Sequence, residues 1–520
     1  MRTALFALLL LTVLASGVAL GEAQSRHPNI VFILADDLGY GDIGCYKKKP
    51  SKIPTPNIDR IAAEGIRFTD AHSPSSVCTP TRYALLTGRY AWRTRLQRGV
   101  NVPWGPPLID PERMTVAELL GQHGYATGMV GKWHLGLGWT TRDGKPPASG
   151  DDRLSNVDFT RPVTGGPTQH GFDDYFGVDV PNYPPYCFIE DAQTVGIPNV
   201  PDTGRKDGFN RPGPTLPDWK LVDVLPELTR RAVGYVETAA QNERPFFLYF
   251  ALTSPHYPVV PSPEFQGRTT VGDYGDFVFQ TDWCVGRVLD ALVRTGTADN
   301  TLIIFTSDNG PEITGEVDPG AYDRIRRYSH HSIDGLRGAK RDLWEGGHRV
   351  PFVARWPDRI AAGAVSDETI CHVDFLRTTA AIVGARLPEN AGEDSYDILP
   401  ALLGKTRDAP IREATVHHSG SGKFAIRKGD WVLIAAPTGD DNQRRGEPDW
   451  LKQQRGYEPH DQPGELYNLR DDLVQKHNLY AQHPERVEEL RSLLARYVRD
   501  GRSTLGEPQQ NDVKPAGFDP

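Results

Sequence analysis

Two pairs of oxygen-bearing side chains, Asp36-Asp37 and Asp308-Asn309, each follow an apolar, strand-like run, 29–35 and 301–306. Carboxylates and a carboxamide gathered at strand ends suit a hard divalent cation, Ca²⁺ first with Mg²⁺ as the alternative. Either pair alone reads equally well as a turn former or helix cap. Cys78 precedes an apolar helical pattern, which places it near a helix N-terminus where free N–H groups and the macrodipole favour an anion. A lone cysteine otherwise reads as a small buried hydrophobe. Lys132 and His134 stand two apart and share a face if the segment is extended. His256 lies in Ser254-Pro255-His256-Tyr257-Pro258, and Lys340 in Arg337-Gly338-Ala339-Lys340-Arg341. By charge alone the latter is a solvated run. Basic groups of this kind suit an anionic substrate.

The elements that must position these residues are legible from hydrophobic patterning. The runs 29–35, 125–130, 246–252, 301–306 and 350–354 read as buried strands. Ile58, Ile61, Ala62 and Ile66 fall on one side of a predicted helix. Thr115-Val116-Ala117-Glu118 fits a capping box opening a helix through Leu120 that ends near Gly124. A long amphipathic helix is expected over 277–293. Strands alternating with helices imply an α/β fold: a large, mostly parallel central sheet covered by helices on both faces. In such a sheet ligands sit at the carboxyl ends of the strands. The Gly-, Pro- and Asp-rich stretch 136–219 reads as ordered loops around the site. Near Pro410 the character changes to a smaller C-terminal α+β subdomain. It has a hairpin over 424–434, a short strand over 465–469 and a closing helix over 484–498. The expected division is 1–24 leader, 25–410 catalytic domain and 411–520 subdomain.

Cys78-x-Pro80-x-Arg82 followed by Ala84-x-x-Thr87-Gly88-Arg89 resembles the signature of the formylglycine-dependent sulfatases, within the alkaline phosphatase superfamily. Asp36-Asp37-x-Gly39 and Asp308-Asn309-Gly310 are similar to that family's metal site. Gly131-Lys132-Trp133-His134-Leu135-Gly136, the His256 segment and Arg337-Gly338-Ala339-Lys340 are similar to its other motifs, in the family's order. The resemblance implies that a formylglycine-generating enzyme oxidises Cys78 to 3-oxoalanine (formylglycine), whose hydrate attacks sulfur. It implies metal ligation by Asp36, Asp37, Asp308, Asn309 and the modified Cys78. Arg82, Lys132 and Lys340 would then neutralise the sulfate, and Asp308 would take the proton of the attacking hydroxyl. His256, with Lys340 beside it, would serve as acid for the leaving oxygen. His134 would serve as the base that releases sulfate and regenerates the aldehyde. The expected substrate is a sulfated carbohydrate or aryl sulfate. Trp104, with Trp139, Tyr183 and Tyr186, could stack on sugar faces, and His330 and His331 are candidate substrate contacts. Related enzymes cleave phosphate diesters or phosphonate monoesters with the same modified residue, which is the alternative chemistry. A binder of sulfated glycans with an unmodified thiol is the alternative of another class.

Composition narrows the setting. The 520 residues carry a formal net charge of −9, which lacks the basic footprint of a nucleic-acid binder. Five cysteines cannot form a disulfide scaffold, and Cys45, Cys187, Cys284 and Cys371 read as structural. Arg2, the apolar run 4–20 and the small residues that follow have the pattern of a secretory leader. No Asn-x-Ser/Thr sequon occurs. The expectation is a bacterial protein exported to periplasm or medium, without stable membrane insertion.

Overall fold

A computed structural model describes residues 27–518 apart from 48–49, 203, 205–210, 314–318 and 406. The expected leader and its cleavage region lie outside the described residues. Asn29–Ala35 is buried throughout and forms the middle of a ten-stranded sheet. It pairs in parallel with Phe246–Ala251 on one side and Thr301–Ser307 on the other. Phe246–Ala251 continues in parallel to Ala126–Lys132, which pairs in parallel with Asp174–Val178. Beyond Thr301–Ser307 the next strand, Phe352–Arg355, is antiparallel. The sheet is therefore mixed but mostly parallel at its centre.

Alternation along the first strand sorts its side chains between two cores. Ile30, Phe32 and Leu34 pack with Tyr83, Leu85, Leu120 and Phe375 on one face. Val31, Ile33 and Ala35 pack with Ile58, Ile61, Leu228, Val285 and Leu292 on the other. Helices thus cover both faces, as parallel sheets require, because strands buried on both sides have no solvated surface. The helix Cys78–Thr87 stops at Gly88, whose φ of 65° is a left-handed cap that glycine adopts without a Cβ penalty. At Thr115 the expected capping box is present, with reciprocal bonds to Glu118 opening Val116–Gln122.

Two sequence expectations change. Ile66 belongs to the strand Ile66–Phe68, because the helix Pro56–Ala63 ends before it. Gly65 sits so close to Ala354 that an added Cβ would lie 2.0 Å from its carbonyl oxygen. The 350–354 strand is Phe352–Arg355, joined antiparallel.

The C-terminal region forms a separate four-stranded antiparallel sheet, Thr415–His418, Phe424–Lys428, Trp431–Ile434 and Glu465–Asn468, closed by the helix Pro484–Arg499. Its core also takes in Ala84, Tyr90, Trp92 and Val373 from the larger part of the chain. The subdomain is therefore welded to the helix that begins with Cys78. All five cysteines are free thiols.

Candidate active site

The parallel strands deliver their chemistry at one end. Asp36 and Asp37 follow Asn29–Ala35, Asp308 and Asn309 follow Thr301–Ser307, and Lys132 ends Ala126–Lys132 with His134 just beyond. His256 comes in the turn after Phe246–Ala251. Cys78 is the first residue of Cys78–Thr87, and Arg82 lies one turn on. Spacing of four places both on one side of the helix.

The side chains interlock. Arg82 is fully buried and donates Nε and Nη2 to Asp308 Oδ2 at 3.1 and 2.8 Å, and Nη1 to the Lys132 carbonyl at 3.0 Å. Lys132 Nζ donates to Asp36 Oδ2, and Lys340 Nζ to Asp37 Oδ2, each at 2.6 Å. Asn309 Nδ2 donates to Asp37 Oδ1 at 2.7 Å, and the Asp37 backbone N–H to Asp308 Oδ1 at 3.1 Å. His256 Nε2 stands 3.6 Å from Asp37 Oδ2.

Asp36 Oδ1 and Asn309 Oδ1 remain buried without a hydrogen-bond partner. Ligating atoms of Asp36, Cys78 and Asp308 lie within 4.8 Å of one another, as do those of Asp36, Asp37 and His256. Burial pushes the Asp36 carboxyl up, but Lys132, His256, Arg82 and Lys340 outweigh it and hold it well below the usual range. Asp308 moves the other way, raised by burial and by the Asp36 charge beside it. Orphaned carboxylate and carboxamide oxygens, with one carboxylate opposing its neighbour, fit a hard divalent cation.

Cys78, His134, His256 and Lys340 line a cavity of about 630 Å³ that opens to solvent. Burial pushes the Cys78 thiol up to about 11, so the unmodified side chain stays a neutral thiol near pH 7. His134 Nε2 lies 3.0 Å from the Asn101 carbonyl, which can only accept, so that nitrogen carries the hydrogen. In the neutral ring Nδ1 is then bare, and it is buried without a partner. Burial, then Lys132 and Arg82, hold His134 far below the usual histidine range. Burial also lowers His256 to about 4. Lys340 goes up, because Asp37 and Glu312 overcome the cost of burying it.

Of the candidate substrate contacts, Tyr183 lines the cavity and Trp104 stands behind it, edge-to-face at 5.7 Å. Trp139 is buried and donates to the Pro103 carbonyl, and Tyr186 is buried and donates to that of Arg211. His330 is not brought to the cavity. It is 3% exposed and bonds Asp42 Oδ1 at 2.6 Å, tying down the loop after the first strand. His331 is exposed outside the cavity lining, and its carbonyl accepts from Lys47 Nζ.

Several residues at the site have no separate sequence signal. Asp179 accepts the His134 backbone N–H at 3.1 Å and anchors that residue at φ 56°. Asn442, in a loop of the C-terminal subdomain, donates to the Lys340 carbonyl at 2.9 Å. Arg211 lies over the Tyr183 ring at 3.9 Å. Only the tertiary fold joins these distant segments to the motifs.

The Sulfatase family model matches residues 28–385. The chain is 34% identical to an N-acetylgalactosamine-6-O-sulfatase of Bacteroides thetaiotaomicron, across 91% of this chain and 93% of that protein. It is 35% identical to arylsulfatase A of Homo sapiens, across 95% of this chain and 92% of that protein. A solved structure described under glycosaminoglycan metabolism by Bacteroides thetaiotaomicron has a TM-score of 0.75 at 34% identity. That likeness covers 91% of this chain and 99% of the other.

Proposed function

The chain belongs to the sulfatase family and is a sulfuric ester hydrolase, and we propose that it is exported and removes sulfate from a sulfated carbohydrate through a formylglycine made from Cys78. The convergence of Cys78, Arg82, Lys132, His134, His256 and Lys340 around two orphaned ligand oxygens carries this reading. The export reading rests on the leader-like residues 1–24. Among the described residues no helix is long and apolar enough to cross a membrane.

Asp36, Asp37, Asp308 and Asn309, with the modified side chain at position 78, would hold Ca²⁺ or Mg²⁺, which when bound supplies positive charge to polarise a sulfuryl oxygen. The formylglycine, installed by a formylglycine-generating enzyme, supplies as its hydrate a hydroxyl nucleophile and a second hydroxyl for sulfate release. The protein's own residues do the rest. Lys132 and Lys340 present ammonium groups to the anionic ester, and Arg82 keeps Asp308 and the Lys132 backbone in place. Asp308, beside Asp36 and held by the Arg82 guanidinium, takes the proton of the attacking hydroxyl.

His256 protonates the leaving oxygen. Burial keeps it neutral in the free site, and an entering sulfate monoanion raises its proton affinity beside the Lys340 ammonium. His134 holds a bare, buried Nδ1 for the final deprotonation. Tyr183, with Trp104 behind it, supplies an aromatic wall for a sugar ring. The kinship with an N-acetylgalactosamine-6-O-sulfatase supports a carbohydrate over a simple aryl substrate.

The test is the mass of the tryptic peptide from Phe68 to Arg82, taken from protein made alongside a formylglycine-generating enzyme. It is expected to be lighter by the thiol-to-aldehyde change. Cys78→Ala is expected to abolish turnover while leaving the fold intact, since it removes one buried sulfur. An unmodified thiol, or equal activity of mutant and parent, would turn the reading toward glycan binding or another nucleophile.

A further inference from the structure

Three buried histidines meet away from the catalytic cavity, where the main fold abuts the C-terminal sheet. His72 ends the strand Ala71–His72, His348 closes the short helix Glu345–His348, and His417 lies in Thr415–His418. None is more than 1% exposed. One ring nitrogen from each lies within 4.8 Å of the others.

Hydrogen bonding fixes which ring nitrogens are bare. His348 Nε2 lies 3.1 Å from the Leu343 carbonyl, and His417 Nδ1 lies 3.0 Å from the Ser73 carbonyl. Carbonyls only accept, so these nitrogens carry hydrogens and the neutral rings leave His348 Nδ1 and His417 Nε2 bare. His72 Nε2 lies 2.8 Å from Asp70 Oδ1, which only accepts, and 3.1 Å from Arg427 Nη1, which has Asp70 Oδ1 as its nearer acceptor at 2.8 Å, so Nε2 carries the hydrogen and His72 Nδ1 is bare as well. His72 Nδ1 and His348 Nδ1 are only 3.0 Å apart, and His417 Nε2 is buried with no partner. Two facing lone pairs at that distance repel unless a cation bridges them.

A proton is a poor bridge here. Burial lowers the proton affinity of all three rings, His348 to about 3 and the other two also downward. Arg349 and Arg427 stand beside the cluster, answered by Asp70 and Glu345, so an added proton would have no counter-charge of its own. Tying the remote N–H of an imidazole to a carboxylate or carbonyl is, however, the arrangement that orients histidine for a metal. Imidazole donors with no cysteine favour a zinc-like transition ion over Ca²⁺.

We propose that His72, His348 and His417 form a structural site for a divalent transition metal, separate from the catalytic cation. The ion takes His72 Nδ1 and His348 Nδ1 first. The His417 ring, stacked on His348 at 3.8 Å with 12° between planes, turns out of that stack to give the third bond. Glu345 Oε1, buried without a partner, is an oxygen donor in the same neighbourhood. A site closed to solvent is structural rather than catalytic. It would clamp the C-terminal sheet to the segment leading into Cys78, where Ser75 Oγ and the Ser76 N–H already bond the His418 carbonyl.

The test is zinc stoichiometry on the full chain after chelator dialysis and reloading with Zn²⁺. The parent and Asp308→Asn are expected to retain a zinc that His348→Gln and His417→Gln lose. X-ray absorption at the zinc edge should show a shell of imidazole nitrogens in the parent and in Asp308→Asn. No zinc in the parent, zinc kept by the folded histidine variants, or a spectrum without imidazole scattering would overturn the proposal. If the histidine variants fail to fold, the imidazole count in the Asp308→Asn spectrum decides: two or more supports this site, and one or none, as the catalytic set with its single His256 would give, overturns it.

Discussion

Replacing Arg82 with lysine keeps the charge and removes the fork, which makes it a sharp probe of how the site is held. The guanidinium makes two bonds to Asp308 Oδ2 and one to the Lys132 carbonyl, with no solvent access. A single ammonium reaches one of these groups and leaves the other without its partner. Losing two hydrogen bonds to charged or buried groups, at about 1.5–3 kcal/mol each, predicts about 3–6 kcal/mol of destabilisation. That matches the general cost of breaking a buried ion pair. With total stability of roughly 5–15 kcal/mol, the variant should still fold. Because Asp308 and the Lys132 backbone would both lose their anchor, kcat/KM is expected to fall at least about 100-fold. Urea unfolding measures the first quantity, and aryl sulfate hydrolysis by formylglycine-bearing protein measures the second. An Arg82→Lys protein within about 1 kcal/mol of the parent, with undiminished kcat/KM, would refute the reasoning.

Exhaustive chelation is expected to abolish sulfatase activity, with Ca²⁺ or Mg²⁺ restoring it. Unchanged activity in verified metal-free protein would mean that Asp36 Oδ1 and Asn309 Oδ1 are orphaned for another reason. Tyr183→Ala should raise KM for a sulfated oligosaccharide about tenfold, the worth of roughly 1.4 kcal/mol of stacking, with kcat on an aryl sulfate little changed; equal losses on both substrates would argue against a sugar platform. Asp282 accepts the Asn57 and Ile58 N–H groups at the start of the helix Pro56–Ala63, yet burial pushes its carboxyl up to about 7. Its folded pKa lies above the unfolded one, so its stabilisation is present below about pH 4 and lost as pH rises through about 7. The parent's Tm should therefore fall between about pH 4 and 7 more steeply than that of Asp282→Asn, and parallel curves would refute the assignment.

The strands Asn29–Ala35 and Thr301–Ser307 were legible because a strand buried on both faces must be apolar throughout, a pattern that survives without tertiary information. The Thr115 capping box was legible because its bonds are local. Ile66 departs from the expected helix because apolar spacing alone does not reveal a helix end; the close approach of Gly65 to Ala354, far away in sequence, belongs to the packed strand. The position of His330 before the Lys340 motif suggests a substrate contact. Its Asp42 partner lies 288 residues away, beyond the reach of any spacing argument.

By itself the sequence determined the α/β architecture, the acidic ends of two strands and the membership carried by the Cys78 motif, because each depends on residues close along the chain. Only the tertiary structure decided that Lys132 pairs with Asp36 and Lys340 with Asp37, and that two ligand oxygens are left over. It alone brought Asn442 from the C-terminal subdomain to Lys340, and three histidines from three separate elements to one point. Those outcomes turn on distances of a few ångströms between segments tens to hundreds of residues apart, which packing sets and local pattern does not encode.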